Sequence, residues 1–354
     1  MAEKVTIEDI AKAVGKSKSL VSLALSNKYG VNEEMRSKII MTAVRMGYEF
    51  RNDSERHPGA RSGSKKKIFI CFSQSMLDDP TYWMELICNV ERHLRKRGCS
   101  AQIYGWGTKD EIEKLIADFY HSGCQGMISF GTGMDNEVLK DILCFGRPLV
   151  LIDSGNILSG AIHIKAANYS GMYRAMQYLY HQGHRKICLV GDASVEETFT
   201  ERCNGVLRFA ERHRDQIRLT RVDAPLTPGL AEYVNLGQLR EHLKKGEATA
   251  YICINDAVAG RLYEQAEQLG VRIPEDISVM GFDNAVNSKF LRPALTTCAV
   301  NREHLAELAV EVLLLNLKVE QNNGSHSLFS GVRVEIPVSI LERKSVRRIG
   351  PEPA

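Results

Sequence analysis

"TIEDIAKAVGKSKSLVSLALSN", residues 6 to 27, is the stretch on which the reading of this 354-residue chain turns. Thr6 stands three residues before Asp9, a capping-box spacing at which the hydroxyl takes a free backbone N–H, so a helix should begin there. Ile10, Ala13 and Val14 keep helical spacing, and Gly15 offers the freedom of a tight turn. Ser17 then caps a second helix whose Val21, Ala24 and Leu25 repeat the pattern. Two helices so joined make a helix-turn-helix. Outside the apolar stripe of the second stand Lys18, Ser19 and Ser22, cationic or short and hydrogen-bonding, with one apolar exception, Leu23. Most of that face suits a DNA groove. Asn32 is placed to cap a third helix, with Glu33 and Glu34 in its positive first turn and Ile39, Ile40, Ala43, Val44 and Met46 apolar within it, before Gly47 stops it. Residues 1–48 thus form a small DNA-binding headpiece.

The charge is unevenly placed. Residues 1–67 carry 14 Lys/Arg against 8 Asp/Glu, or +6, while the whole chain is +3, so the remainder is −3. A basic head on a mildly acidic body is what phosphate binding by one end requires. Nine cysteines are scattered without a C-x-x-C pair, the closest being Cys88 and Cys99, and they read as free, mostly buried thiols of a reducing compartment with no metal site. The N-terminus lacks the apolar run of a secretion signal and no stretch approaches a membrane span, so a cytoplasmic protein without a membrane partner is expected.

Residues 49–66, "EFRNDSERHPGARSGSKK", are polar, basic and broken by Pro58-Gly59, the composition of a hinge or linker. Beyond them, short apolar runs alternate with amphipathic helices. "IFICFS" is followed by a helix from Pro80 to Arg97 with Met84, Ile87, Val90 and Leu94 on one face, then by "AQIYGW", "GMISF" and "PLVLID" with helices near 109–122 and 135–145 between. A second series runs "KICLVG", "IRLTRV", "AYICIN" and "ISVMGFD", with helices near 200–213, 231–244 and 256–269. The fold class is α/β, two parallel-sheet units in tandem behind a three-helix headpiece.

In open α/β sheets, ligands bind beyond the carboxyl ends of the strands. That rule selects Asp153 after "PLVLI", Asn255 after "AYICI", Asp283 ending "ISVMGFD", and Ser129 and Phe130 ending "GMISF". It also selects Arg202, early in the helix after "KICLVG", and Tyr82 and Trp83, opening the helix after "IFICFS". Carboxylates, an amide and a guanidinium grip several hydroxyls at once and aromatic faces stack on an apolar ring, so the set is suited to a sugar-like or nucleoside-like ligand. Any one alone would pass as a cap or surface turn. Their shared location makes the case. Enzyme signals are poor: there is no Walker A loop and no G-x-S-x-G, and the H-x-x-H of His181 and His184 lacks a third ligand. No enzymatic activity and no cofactor are expected.

The whole chain resembles the lactose-repressor (LacI/GalR) family of bacterial transcription factors. The residues that carry the likeness are "VTIEDIAKAVGKSKSLVSLALSN", "VNEEMRSKI", "HQGHRKICLVG", "ERCNGV", "IND" at 254–256, "IPEDISVMGFDN" at 273–284, "PALTTCAV" at 293–300 and "ERKS". The resemblance implies a homodimeric repressor of sugar-utilisation genes whose second helices enter successive major grooves of a pseudopalindromic operator. It also implies a periplasmic-binding-protein-like core, residues 67–345, that closes on a small-molecule effector. The expected division is 67–165 with 300–325 in one subdomain, 166–299 with 326–345 in the other, and 346–354 as a tail. Base edges should be met by Lys18 and Ser19, phosphates by Ser17, Ser22 and Asn27, with Thr6 and Leu23 on the same surface. Tyr82, Asp153, Arg202, Asn255 and Asp283 should contact the effector, residues already picked by strand-end location.

Departures from the family matter as much. Leu23 stands where many members carry an arginine that reads guanine, and offers only apolar contact. The linker pattern Y-x-P-N-x-x-A-x-x-L becomes Tyr48 to His57, with Phe50 for the proline and His57 for the leucine that wedges into the minor groove. Arg51, Arg56, Arg61 and Lys65 to Lys67 would then act as a flexible basic strap on DNA with no leucine-type wedge, and His57, at the wedge position, would insert or contact phosphate when protonated. Ala167 replaces an aspartate common in the family, which loosens any guess at the ligand. A corepressor-dependent regulator that binds a purine or a phosphocarrier protein, or less closely a solute-binding protein, would use much of the same set.

Overall fold

The computed structural model describes residues 4–50, 65–78, 80–131, 133–156, 158–192, 197–223, 236–323 and 331–349. Helices α1 (Ile7–Val14), α2 (Lys18–Leu25) and α3 (Glu33–Arg45) form the headpiece. Their boundaries follow from local chemistry. Thr6 and Asp9 make a reciprocal capping box, Gly15 ends α1 with a left-handed φ of 65°, and Ser17 and Asn32 accept from the Leu20 and Met35 amides at 3.2 and 2.9 Å. Ile10, Val21, Ala24, Ile39 and Ile40 meet at the centre with no exposed surface.

Two six-stranded sheets follow, each built by β-α-β crossovers. The first subdomain holds β1 (Lys67–Ser73), α4 (Pro80–Lys96), β2 (Ser100–Trp106), α5 (Lys109–His121), β3 (Gly126–Phe130), α6 (Asn136–Leu143), β4 (Leu149–Ile152) and β5 (Ile162–Ala166). The second holds α7 (Asn168–His181), β6 (Lys186–Val190), α8 (Glu197–Arg212), β7 (Arg218–Val222), α9 (Leu236–Lys245), β8 (Ala250–Cys253), α10 (Asp256–Leu269), β9 (Ser278–Asp283) and β10 (Thr296–Ala299). The chain then returns as α11 (Arg302–Asn323), which packs on α4 and on strands of the first sheet, and ends with β11 (Arg333–Ile336) and β12 (Ser339–Leu341). The strand orders are β11-β5-β4-β3-β1-β2, all parallel, and β12-β10-β9-β8-β6-β7, parallel except where β12 runs against β10.

Two sequence expectations need correction. Residues 326–345 were assigned whole to the second subdomain, yet Arg333–Ile336 pairs with His163–Ala166 at the edge of the first sheet and only Ser339–Leu341 joins the second. Each segment is a short edge strand whose partner lies far away in sequence, so local pattern says nothing of its sheet. Met84 is also not on the buried face of α4: it is exposed, and Leu86 joins Ile87, Val90 and Leu94 inside. The chain passes between the two sheets three times, after β5, after β10 and between β11 and β12, and the carboxyl ends of both sheets meet at these crossings. No helix among the described residues is long and apolar enough to cross a membrane.

Candidate functional site

Where the sheets face each other, four of the residues selected by strand-end location come together. Tyr82, Asp153, Arg202 and Asp283 are only 5, 5, 5 and 7 % exposed, so each must find partners within the protein. Asp153 follows β4 in a left-handed conformation (φ 48°), which turns its carboxylate back to accept from the Ala166 amide at 2.9 Å and from the Tyr82 hydroxyl. Asp283 ends β9 with φ 106°, and its carboxylate lies 2.9 Å from Arg202 Nη2. Arg202 donates further from Nε to Asn168 Oδ1 (2.8 Å) and from Nη1 to the Ile254 carbonyl (2.9 Å), and its guanidinium stacks 4.0 Å from the Phe282 ring centroid.

Electrostatics tie the four into one unit. Burial, then Asp153 and Asp283, push the Tyr82 phenol well above its ordinary range, so it remains a hydrogen-bond donor. Burial also raises Asp153, against the opposing pull of the Tyr82 and Ala166 hydrogen bonds and of Arg202. Burial disfavours charge on Arg202, but Asp283 and the surrounding oxygens outweigh it and hold the guanidinium protonated. The result is a site of two carboxyls, one guanidinium and one phenol, in which acidic groups outnumber the cation, fitted to neutral polar groups rather than to a free anion.

The other expected residues fall differently. Asn255 caps α10, its Oδ1 accepting from the Val258 amide at 2.8 Å, so only its amide nitrogen is available to a ligand. Ser129 is buried in β3 with its hydroxyl beside the Cys71 thiol, within the first subdomain. Phe130 is buried in the cluster that holds Tyr82 and Met76, and the half-buried Trp83 meets Tyr82 edge-on at 5.0 Å. His184 is structural: it is fully buried between Thr249 Oγ1 (3.0 Å) and the Arg347 carbonyl (3.1 Å), and burial depresses it to about 4.

Two residues escaped the sequence reading. Asn168, at the first turn of α7, takes the Arg202 Nε–H. Arg302, at the start of α11, reaches from Glu85 Oε2 (2.9 Å) to the carbonyls of Asp283 (2.7 Å) and Asn284 (3.0 Å) and thereby joins α4 of the first subdomain to the second. Both follow strand ends, so the rule that found the others would have found them had β5 and β10 been recognised.

On the headpiece, Ser17, Lys18, Ser19, Ser22 and Asn27 are exposed, Leu23 is half-buried, and Lys18 pairs at the surface with Glu8 (2.7 Å). Thr6 is exposed but spent on its cap, accepting from the Asp9 amide and donating to its carboxylate. An open hollow of about 590 Å³ between α1 and α2 is lined by Glu8, Ala11, Lys12, Gly15, Lys16, Ser17 and Lys18. Arg36 braces the turn after α2 by donating to the Ala24, Lys28 and Val31 carbonyls, and leaves Tyr29 beside the exposed face wholly in solvent. Arg51, Arg56 and His57 lie outside the described residues.

Against known proteins, a profile for the periplasmic binding protein-like domain matches residues 176–346. The HTH-type transcriptional repressor PurR of Actinobacillus pleuropneumoniae serotype 3 is 24 % identical over 351 residues, 97 % of this chain and 99 % of that protein. The PurR repressor of Vibrio vulnificus is 26 % identical over 327 residues, 90 and 93 % of the two chains. Among solved structures, a transcriptional regulator of Enterococcus faecium with bound ribose aligns with a TM-score of 0.66 at 22 % identity, over 80 % of this chain and all of that one. The lac repressor dimer bound to operator aligns at 0.65 and 19 % identity, over 98 % of this chain and all of that one.

Proposed function

We propose that this chain belongs to the LacI/GalR family and is an effector-responsive, sequence-specific DNA-binding regulator of transcription and a repressor, a reading supported by the periplasmic binding protein-like profile and by the likeness to PurR and to the lac repressor. It works as a cytoplasmic homodimer on operator DNA and has no enzymatic activity. The observation that carries the reading is the pairing, in one chain, of an exposed second helix in a basic headpiece with a buried Tyr82–Asp153–Arg202–Asp283 unit between two sheets. On the DNA side, Lys18 and Ser19 contact base edges, and Ser17, Ser22, Asn27 and the basic residues Arg51, Arg56 and His57 contact backbone phosphates. On the effector side, Asp153 and Arg202 take ligand hydroxyls, Asn255 adds its amide nitrogen, and Tyr82 and Trp83 cover an apolar ring face. A sugar or sugar derivative fits this hydrogen-bonding set.

A second reading has its own support. The full-length relatives at 24 and 26 % identity are PurR repressors, and the same acid, amide and guanidinium pattern suits the edge of a purine base acting as corepressor. The sign of the response separates the two. Operator fragments selected from genomic DNA are titrated with the protein by fluorescence anisotropy at several salt concentrations, alone and with ribose, cellobiose, hypoxanthine or guanine. Binding that weakens steeply with salt and is released by a sugar supports the first reading, and binding strengthened by a purine supports the second. Salt-independent binding, or none, refutes both.

A further inference from the structure

The headpiece does not hang free of the core. Helix α3 lies along α5 and touches α6, and the headpiece core is continuous with one face of the first sheet, Leu25, Met41 and Val44 sharing a cluster with Phe69, Phe119 and Phe145. Against this cluster packs the half-buried Phe50, just past the headpiece. Its ring sits edge-on between Tyr120 (centroids 4.9 Å apart), Phe145 (5.1 Å) and Tyr48 (5.4 Å), the geometry in which aromatic quadrupoles attract. Tyr120 and Phe145 are themselves buried, and the Tyr120 hydroxyl donates to the carbonyl of Leu25, the last residue of α2 (3.4 Å). Arg45 of α3 meets Glu113 of α5 at 3.4 Å on the rim.

The sequence after this contact makes it matter. From Arg51 to Ser64 there is no apolar side chain larger than proline, and Pro58-Gly59 interrupts the run. The sequence of that stretch thus offers no large apolar side chain with which to join headpiece and core. Meanwhile Ser17, Lys18, Ser19 and Ser22 stay exposed with the headpiece seated, so the contact leaves the DNA-reading face open.

We propose that Phe50 seats the headpiece on the first subdomain, and that this aromatic seat, rather than the polar linker after it, carries the effector's state to the recognition helix. The seating stands on the contacts alone, whereas its role in signalling rests on the regulator reading above. Any shift of the first subdomain on effector binding moves α2 with it as one body, because Tyr120 touches both Phe50 and the end of α2.

The test compares the full-length wild type with Phe50→Ala and with Phe50→Leu, which keeps apolar volume. Without DNA or effector, small-angle scattering should show a compact wild type and a larger maximum dimension for Phe50→Ala. Hydrogen exchange at Ile40 and Val44 should quicken at least about tenfold in that variant as the headpiece loses its support. Phe50→Leu should lie between. Unchanged scattering and exchange in Phe50→Ala overturn the seat. For the signal, operator affinity is measured with and without ribose, cellobiose and hypoxanthine. Phe50→Ala should keep operator binding within a few-fold, while the affinity ratio produced by whichever probe acts on the wild type falls towards one. An unchanged ratio overturns the signalling role. If no probe changes wild-type affinity, the regulator reading fails, and scattering and exchange decide the seat independently.

Discussion

Arg202→Met should cost this protein about a third of its stability before any effector is added. The buried guanidinium holds Asp283 at 2.9 Å, Asn168 at 2.8 Å and the Ile254 carbonyl at 2.9 Å, and lies on Phe282. Removing one partner of a buried pair costs about 3–5 kcal/mol, because the remaining charge loses its counterion without regaining water. Each acceptor left without its donor adds about 1–3 kcal/mol when nothing replaces it. Methionine keeps the stem's packing, and repacking together with protonation of Asp283 relieves part of the sum, so we expect a loss of about 4 kcal/mol against a typical total of roughly 5–15. Asp283→Asn on its own should cost less. In the double variant the two losses should fall short of additive by at least about 1.5 kcal/mol. Urea unfolding followed by circular dichroism on the four proteins of the cycle gives the number. A coupling below about 0.5 kcal/mol would refute the reasoning that the pair is one energetic unit.

Three further outcomes are expected. Asp256 is raised to about 7 by burial and then by Asp283, despite hydrogen bonds from Thr297 and the Ala285 amide. The native state therefore keeps a proton that the unfolded chain releases near pH 4, so the stability Asp256 contributes is full below that pH and is lost as pH rises through about 7. Urea midpoints between pH 4.5 and 8 should flatten in Asp256→Asn, and an unaltered slope would exclude the assignment. Gly205→Ala places a Cβ 2.2 Å from the Tyr169 carbonyl where α8 crosses α7 and should lose at least about 2 kcal/mol. Gly260→Ala, in α10 with nothing within 4 Å, should gain about 0.5–1 kcal/mol; thermal unfolding reads both, and equal shifts would contradict them. Leu23→Arg, on the half-buried edge of α2, should add a preference for guanine at one base pair worth about 1–3 kcal/mol, read by anisotropy on an operator series, and a uniform change across the series would show that position 23 does not face a base.

Sequence made the headpiece legible because its signals are local. Thr6 with Asp9, Gly15, Ser17 and Asn32 each settle one helix end by a contact three residues away or by one dihedral angle. The central strands were equally plain, since strands buried on both faces read as apolar runs. "IHIKA" and "RVEI" did not, because they are only five and four residues long and carry polar side chains, and the edge strand "RVEI" owes its pairing with "IHIKA" to residues far away along the chain. Helix α11 hid for a different reason. It packs on both α4 and the first sheet, so it is apolar on more than one side and lacks a clear stripe. Strand-end location brought Tyr82, Asp153, Arg202 and Asp283 to one place, but it could not show that Asn255 is occupied as a cap or that Ser129 turns toward Cys71. Those facts depend on side-chain direction.

The three passages between the sheets also set the order in which the molecule can be made. The headpiece is complete once α3 has emerged, whereas the first sheet lacks its edge strand until Arg333–Ile336 arrives and the second lacks its own until Ser339–Leu341. A nascent chain thus carries the three headpiece helices ahead of a core that closes in both halves only when residues 333–341 arrive. Truncation anywhere before residue 331 strips an edge from both sheets at once, so damage near the far end of the gene falls on both halves of the core and on the first subdomain against which the headpiece rests.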